Sequence, residues 1–184
     1  YEDSAAQAVA SARRIVAETG CQAVKLEGGV EMAGQIAAIV AADIPVMGHI
    51  GLQPQSVESD GGYRIKGRTE ENVAALLRDA DAVERAGAFS LVIEGTVENV
   101  AADITRRISI PTIGIGASRD CDGQILVIDD MVGLTVDRVP KFVKEYADLR
   151  GVISHAAARY AAEVRDRTFP GPEHVFSAKK KEQP

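Results

Sequence analysis

The chain has 184 residues, enough for one domain with a substantial core. A net charge of −6 argues against a nucleic-acid surface, and no stretch is long and apolar enough to span a membrane. The two cysteines, Cys21 and Cys121, have no metal-ligand spacing and imply no disulfide framework. With 46% hydrophobic residues, 4% aromatic and no Trp, the core must be built from Ala, Val, Ile and Leu, as α/β packing usually is. No signal peptide is visible, so a cytoplasmic location is the default.

The pattern predicts a helix over 4–19, capped by Asp3 or Ser4 and closed by Gly20. A strand over 23–27 follows. A second helix is expected from Glu31 to Ala42, with Met32, Ile36, Ile39 and Val40 as its apolar stripe. Asp43-Ile44-Pro45 breaks it, and Val46 to His49 is a short strand ending in a histidine. Ile50 to Arg68 is irregular, and a connection of that length is usually functional or disordered. Thr69 opens a long helix to about Ala86, with Val73, Leu76, Leu77, Ala80 and Val83 on one side. Phe89–Glu94 is a strand, 97–107 a helix, and Thr112–Gly116 the next strand. Gln124 to Ile128 reads as a last apolar strand. Two helices, broken near Gly151, are expected between Pro140 and Arg167, and the charged stretch 177–184 reads as a disordered tail.

Regular alternation of helices and strands implies parallel strands joined by right-handed crossovers. Five strands suit an open sheet or part of a (β/α)8 barrel. Polar groups close strand after strand: Lys25 with Glu27, then His49, then Glu94. A site that gathers groups from several strand ends is the habit of the barrel. Five strands cannot close one, so about three βα units are missing from a barrel of this kind. The start at Tyr1, without Met, puts the gap at the front. The expected architecture is therefore a partial barrel over 1–176 with C-terminal helices.

Lys25 and Glu27 are two apart, so in a strand they share one face, while Val24 and Leu26 share the other. A helix-covered parallel strand should be continuously apolar, so these charges must be satisfied where they stand. A solvated edge strand with a surface ion pair is the simpler alternative to a site. Gly28 and Gly29 let the chain turn sharply just beyond. Glu27 offers the oxygen ligand that Mg²⁺ prefers, and Lys25 a point charge for a substrate carboxylate or carbonyl. Glu94 ends an apolar strand, where a lone carboxylate is costly unless a cation or a proton joins it; a carboxylate so placed suits proton removal. His49 could donate a hydrogen bond to substrate, though a lone core histidine is more often structural. Gly114-Ile115-Gly116-Ala117 lacks the third glycine and the acidic residue of a dinucleotide fingerprint, and its glycines read as backbone close to a ligand.

Several segments together resemble ketopantoate hydroxymethyltransferase: Val24-Lys25-Leu26-Glu27-Gly28-Gly29, Gly48-His49-Ile50-Gly51-Leu52, Pro54-Gln55-Ser56, Gly61-Gly62-Tyr63 and Val92-Ile93-Glu94. Ile110-Pro111-Thr112-Ile113-Gly114-Ile115-Gly116-Ala117, Asp122-Gly123-Gln124 and Glu173-His174 extend the resemblance to residues 5–176. It implies a (β/α)8 TIM-type barrel that makes 2-dehydropantoate from 3-methyl-2-oxobutanoate and 5,10-methylenetetrahydrofolate, on the route to pantothenate. It also implies Mg²⁺, a homo-oligomer, and reaction through a metal-stabilised enolate. By the resemblance Glu27 falls on a magnesium ligand, Lys25 on a contact to the 2-oxo acid and Glu94 on the catalytic base. Gln53, Lys66 and Gly95-Thr96-Val97 depart from the family's usual residues. The family's front units, with two further magnesium-binding aspartates and a substrate-contacting serine, are absent. Two rival readings remain. One is a Mg²⁺-dependent carbon–carbon lyase or mutase of the phosphoenolpyruvate-handling barrels. The other is an inactive fragment.

Overall fold

The computed structural model describes residues 1–56, 64–136 and 139–177. It contains two compact units, Tyr1–Leu126 and Val127–Pro184. The first unit carries α1 (Ala5–Thr19), β1 (Val24–Glu27), α2 (Ala33–Ala41), β2 (Val46–Gly51), α3 (Glu70–Arg85), β3 (Ser90–Glu94), α4 (Glu98–Arg107), β4 (Thr112–Ile115) and β5 (Gly123–Gln124). The second carries α5 (Ile128–Met131) and α6 (Leu149–Arg165).

Local chemistry sets most of these boundaries. The Ser4 hydroxyl accepts the Gln7 N–H at 3.2 Å, and Gly20, at φ +71°, returns its N–H to Val16. Both ends of α1 are thereby satisfied. Thr69 caps α3 in the same way through the Asn72 N–H, with Glu70 and Glu71 in the first turn where the helix dipole favours them.

The five strands are all parallel and lie in the order β1-β2-β3-β4-β5. A sheet whose spatial order equals its sequence order has no switch point. Right-handed crossovers then place every connecting helix on one face. Burial agrees with this. Leu26, Val46, Ile50, Leu91 and Ile93 of the strands share one core with Ala8, Ile36, Ile39, Leu76, Ala80, Val83, Val100 and Ile104 of the helices. Val92, one residue from the core-facing Leu91 and Ile93, and Ile115 of β4 are buried but lie outside that core. The chain therefore has the α/β architecture of consecutive barrel units, with one face given to helices and the other to a different purpose.

Four expectations need correction. Glu31–Met32 is not helical in the α sense: Val30–Met32 is a single 3-10 turn, closed by the Met32 N–H on the Gly29 carbonyl, and α2 starts at Ala33. The second strand continues past His49 to Gly51, so the histidine lies inside β2. The last apolar run is no strand beyond Gly123–Gln124; Ile125, Val127 and Ile128 are exposed, and α5 begins at Ile128. Between Pro140 and Arg167 there is one helix rather than two. Asp148 caps it by accepting the Gly151 N–H at 2.9 Å, so Gly151 sits in the first turn and breaks nothing. In the second unit the chain entering α6 passes the C-terminal end of α5, with the N–H groups of Tyr146 and Leu149 on the carbonyls of Met131 and Val132. Residues 57–63, including Gly61-Gly62-Tyr63, and 178–184 of the expected tail lie outside the described residues.

Candidate active site

The helix-free face of the sheet brings the four sequence-picked residues together. Alternation along β1 turns Lys25 and Glu27 to this face, and Glu27 is the register partner of His49 on β2. On β3, Glu94 is the partner of Gly51, two residues beyond His49. The imidazole of His49 is 3% exposed and lies between the two carboxylates. Its Nδ1 is 3.1 Å from Lys25 Nζ and 3.6 Å from Glu27 Oε1, and its Nε2 is 3.3 Å from Glu94 Oε2. Lys25 Nζ is also 3.6 Å from Glu27 Oε1.

An ammonium has donors only, so Nδ1 is the acceptor in the Lys25 contact. In a neutral imidazole the ring proton is then on Nε2, facing Glu94. That distance is short but the alignment is poor, and among the described residues the buried Nε2 has no hydrogen-bond partner. A buried donor left in this way is costly. Here it points at the edge of a cluster of charges, where an added acceptor would satisfy it.

Glu27 is fixed from the far side. Its Oε2 accepts the Gln55 N–H at 3.2 Å, in the 3-10 turn Pro54–Ser56 that follows β2. The Tyr1 hydroxyl lies 2.6 Å from the Gln55 side-chain oxygen and 3.1 Å from the Glu27 carbonyl. Burial pushes the Tyr1 phenol above its ordinary pKa, and Glu2, Glu27 and Glu31 add to the rise against the opposing hydrogen bond. Oε1 of Glu27 has ion-pair neighbours but accepts no hydrogen bond among the described residues.

The Glu94 end of β3 is equally constrained. Its carbonyl accepts the Leu52 N–H at 2.8 Å and the Thr96 hydroxyl at 3.1 Å. Gly51 stands so close that a Cβ there would lie 2.2 Å from the same oxygen, and its φ is +96°. Only glycine tolerates both conditions.

Two further residues were not legible as functional. Tyr1 and Gln55 act through contacts 26 to 54 residues apart in sequence, which no local pattern reports. Asp79 did leave a signal: it is three residues after Leu76 and four before Val83, on the buried side of α3. Burial pushes its carboxyl above the usual range, and the nearby Glu31 adds to the rise. Gly114, by contrast, does not make room for a ligand, since a Cβ there would meet the Gln124 side chain at 2.9 Å and Cys121 Sγ at 3.2 Å.

Among the described residues no three His, Cys, Asp or Glu side chains converge as a metal site. The charged cluster therefore offers one carboxylate, Glu27, beside a cation and a histidine, with a second carboxylate across the ring.

Comparison with known proteins decides the family. The model of the ketopantoate hydroxymethyltransferase family matches residues 1–172. The chain belongs to that family. A 3-methyl-2-oxobutanoate hydroxymethyltransferase from Mesorhizobium japonicum is 86% identical over 180 residues, covering 98% of this chain and 63% of its own length. One of the same description from Rhodospirillum rubrum is 57% identical over 180 residues, covering 98% of this chain and 65% of its own length. The chain thus spans about two thirds of the length of the curated relatives it matches, and corresponds to a C-terminal portion of them. A solved structure of a putative lyase/mutase from Burkholderia cenocepacia covers 96% of this chain and 63% of its own, with 20% identity and a TM-score of 0.46. That similarity is too distant to bear on fold or function.

Proposed function

We propose that the chain carries the strand-end half of an active site that transfers a hydroxymethyl group from 5,10-methylenetetrahydrofolate to 3-methyl-2-oxobutanoate, giving 2-dehydropantoate. The observation that carries this reading is the convergence of Lys25, Glu27, His49 and Glu94 from three adjacent strands on the face the helices leave open. The activity for which the family and its relatives are named suits those groups one by one.

Lys25, whose side chain is 44% exposed, presents its ammonium to the substrate's carboxylate or 2-oxo group. As the C3 proton leaves, negative charge grows on the oxo oxygen, and a cation already in position stabilises it without reorganising. Glu94 is the group that takes the proton: its Oε2 borders the open end and is not consumed by a hydrogen bond to His49. The Nε2–H of His49 is a donor in search of an acceptor, and a substrate oxygen beside Glu94 would supply one. The carbon deprotonated in this way then bonds to the methylene carbon of the folate. The two C–N bonds of that carbon break, water supplies the hydroxyl, and tetrahydrofolate leaves with the proton taken from C3 and the other proton of the water. No covalent intermediate with the protein is required.

Mg²⁺ fits this site in part. The ion takes one or two carboxylates and fills its other positions with water and substrate. Glu27 would hold it through Oε1, which accepts no hydrogen bond among the described residues, while Gln55 steadies Oε2. When bound, the ion would supply Lewis acidity toward the 2-oxo carbonyl.

The test is proton exchange. In a chain extended to the length of its relatives, 3-methyl-2-oxobutanoate in deuterated water should lose its C3 hydrogen, as followed by NMR. Glu94→Gln keeps the shape but cannot accept the proton, so exchange should fall at least about a hundredfold. Exchange at the parent's rate would assign the base elsewhere.

A further inference from the structure

The turn that follows Glu27 is tied down amide by amide. The Gly28 N–H donates to the His49 carbonyl at 3.0 Å, the Gly29 N–H to Glu31 Oε1 at 3.1 Å, and the Val30 N–H to Asp79 Oδ1 at 3.1 Å. The first bond links the turn to β2 and the third links it to α3, an element 49 residues further along. Gly29 is shaped by the third. A Cβ at that position would lie 2.2 Å from both Cγ and Oδ1 of Asp79, so the glycine makes space for the carboxylate itself.

Asp79 belongs to the face of α3 that packs on the sheet, between Leu76 and Val83, where an apolar residue would be the simpler choice. A half-buried carboxylate costs free energy unless it is hydrogen-bonded. Its carboxylate accepts from the backbone that determines where β1 ends. A residue retained only for core packing would not need an acceptor aimed at this amide.

We infer that Asp79 is a positioning residue: its carboxylate holds the Gly28–Val30 turn so that the Glu27 side chain leaves β1 toward Lys25, His49 and Gln55. This rests on the reading of Glu27 as a metal-holding carboxylate. Partners that orient a ligating side chain typically account for about 10- to 100-fold in metal affinity. Asp79 does so from outside the cluster, through the backbone.

The experiment measures metal binding directly, in a chain extended to the length of its relatives, by titrating Mn²⁺ as a stand-in for Mg²⁺ and reading free ion by electron paramagnetic resonance. Asp79→Ala removes the acceptor and should raise the Mn²⁺ dissociation constant about tenfold. Asp79→Asn keeps an oxygen in place and should return it to within about twofold of the parent, a rescue that simple loss of folded protein would not show. Gly29→Ala, which pushes a methyl into the Asp79 carboxylate and leaves the face of α3 intact, is the second route to the same loss should Asp79→Ala not fold. Parent affinity in Asp79→Ala, or in Gly29→Ala if it stands in, overturns the proposal; Glu27→Gln, by still losing Mn²⁺, would then leave the metal reading standing. Parent affinity in Glu27→Gln itself removes the metal reading, and the positioning role falls with it.

Discussion

Lys25 is the member of the cluster most open to solvent, and it has two tasks at once. Its ammonium donates to His49 Nδ1 and pairs with Glu27 Oε1, yet with a 44% exposed side chain it retains a donor for a bound anion. Hydrogen bonds to charged groups contribute about 1.5–3 kcal/mol. Lys25→Ala, in a chain extended to full family length, should therefore weaken 3-methyl-2-oxobutanoate about 10- to 100-fold by calorimetry, and an unchanged affinity would remove Lys25 from the substrate contact. The residues of this cluster were legible beforehand because strand alternation is simple. Charges at positions 25 and 27 of an otherwise apolar run must share a face, and acids or histidines closing neighbouring strands must come near one another. The groups that hold them were not legible. Tyr1, Gln55 and Thr96 act through hydroxyl and amide hydrogen bonds whose partners are fixed only once the strands are in register.

At the scale of elements, the close approach of α3 to β2 decides how firmly His49 is held. Gly48 precedes the histidine and faces the helices, where a Cβ would lie 2.3 Å from Cγ1 of Val83 and 3.3 Å from Leu91. A glycine inside a strand often marks such an approach. Gly48→Ala overpacks this contact and should destabilise the fold by about 1–3 kcal/mol, measured by urea unfolding. Val83→Ala in the same chain should recover part of the loss, because the clash is with that side chain; a double variant no more stable than Gly48→Ala would place the strain elsewhere. The helices and strands around this contact were readable from periodicity, since Leu76, Ala80 and Val83 recur at helical spacing and do enter the core. Glycine was the less reliable sign. Gly20 and Gly87 mark helix ends, at φ +71° and +91°, whereas Gly151 sits within the first turn of α6 under an aspartate cap. The residue type alone does not separate a terminus from a first turn. The run Gln124–Ile128 misled for another reason, because apolar composition does not require burial, and Ile125, Val127 and Ile128 are all more than half exposed.

At the scale of the whole molecule, a sheet in barrel order ends at β1 and β5, which pair on one side only among the described residues. β1 carries Lys25 and Glu27, so half of the charged cluster stands on an edge strand. Such edges recruit other chains, and a charged face blunts this only on the side where the charges point. Apolar surface adds to the tendency. In the second unit α6 has no buried residue, and Val152, Ile153 and Tyr160 are exposed, as is Phe176. Exposed apolar side chains of this kind, where they adjoin, mark an interaction site or an aggregation liability. The curated relatives are longer by about a third of their own length, and the barrel implied by the sheet order needs about three more βα units. The 184-residue chain on its own is therefore expected to sediment as associated species, to bind Mg²⁺ weakly through one carboxylate, and to transfer no hydroxymethyl group. Extended to family length, it should give a discrete homo-oligomer that binds the ion and exchanges the C3 proton. Sedimentation velocity with a direct transfer assay separates the outcomes: a monodisperse, metal-binding, active 184-residue chain would show that the five strands need no partner on either edge.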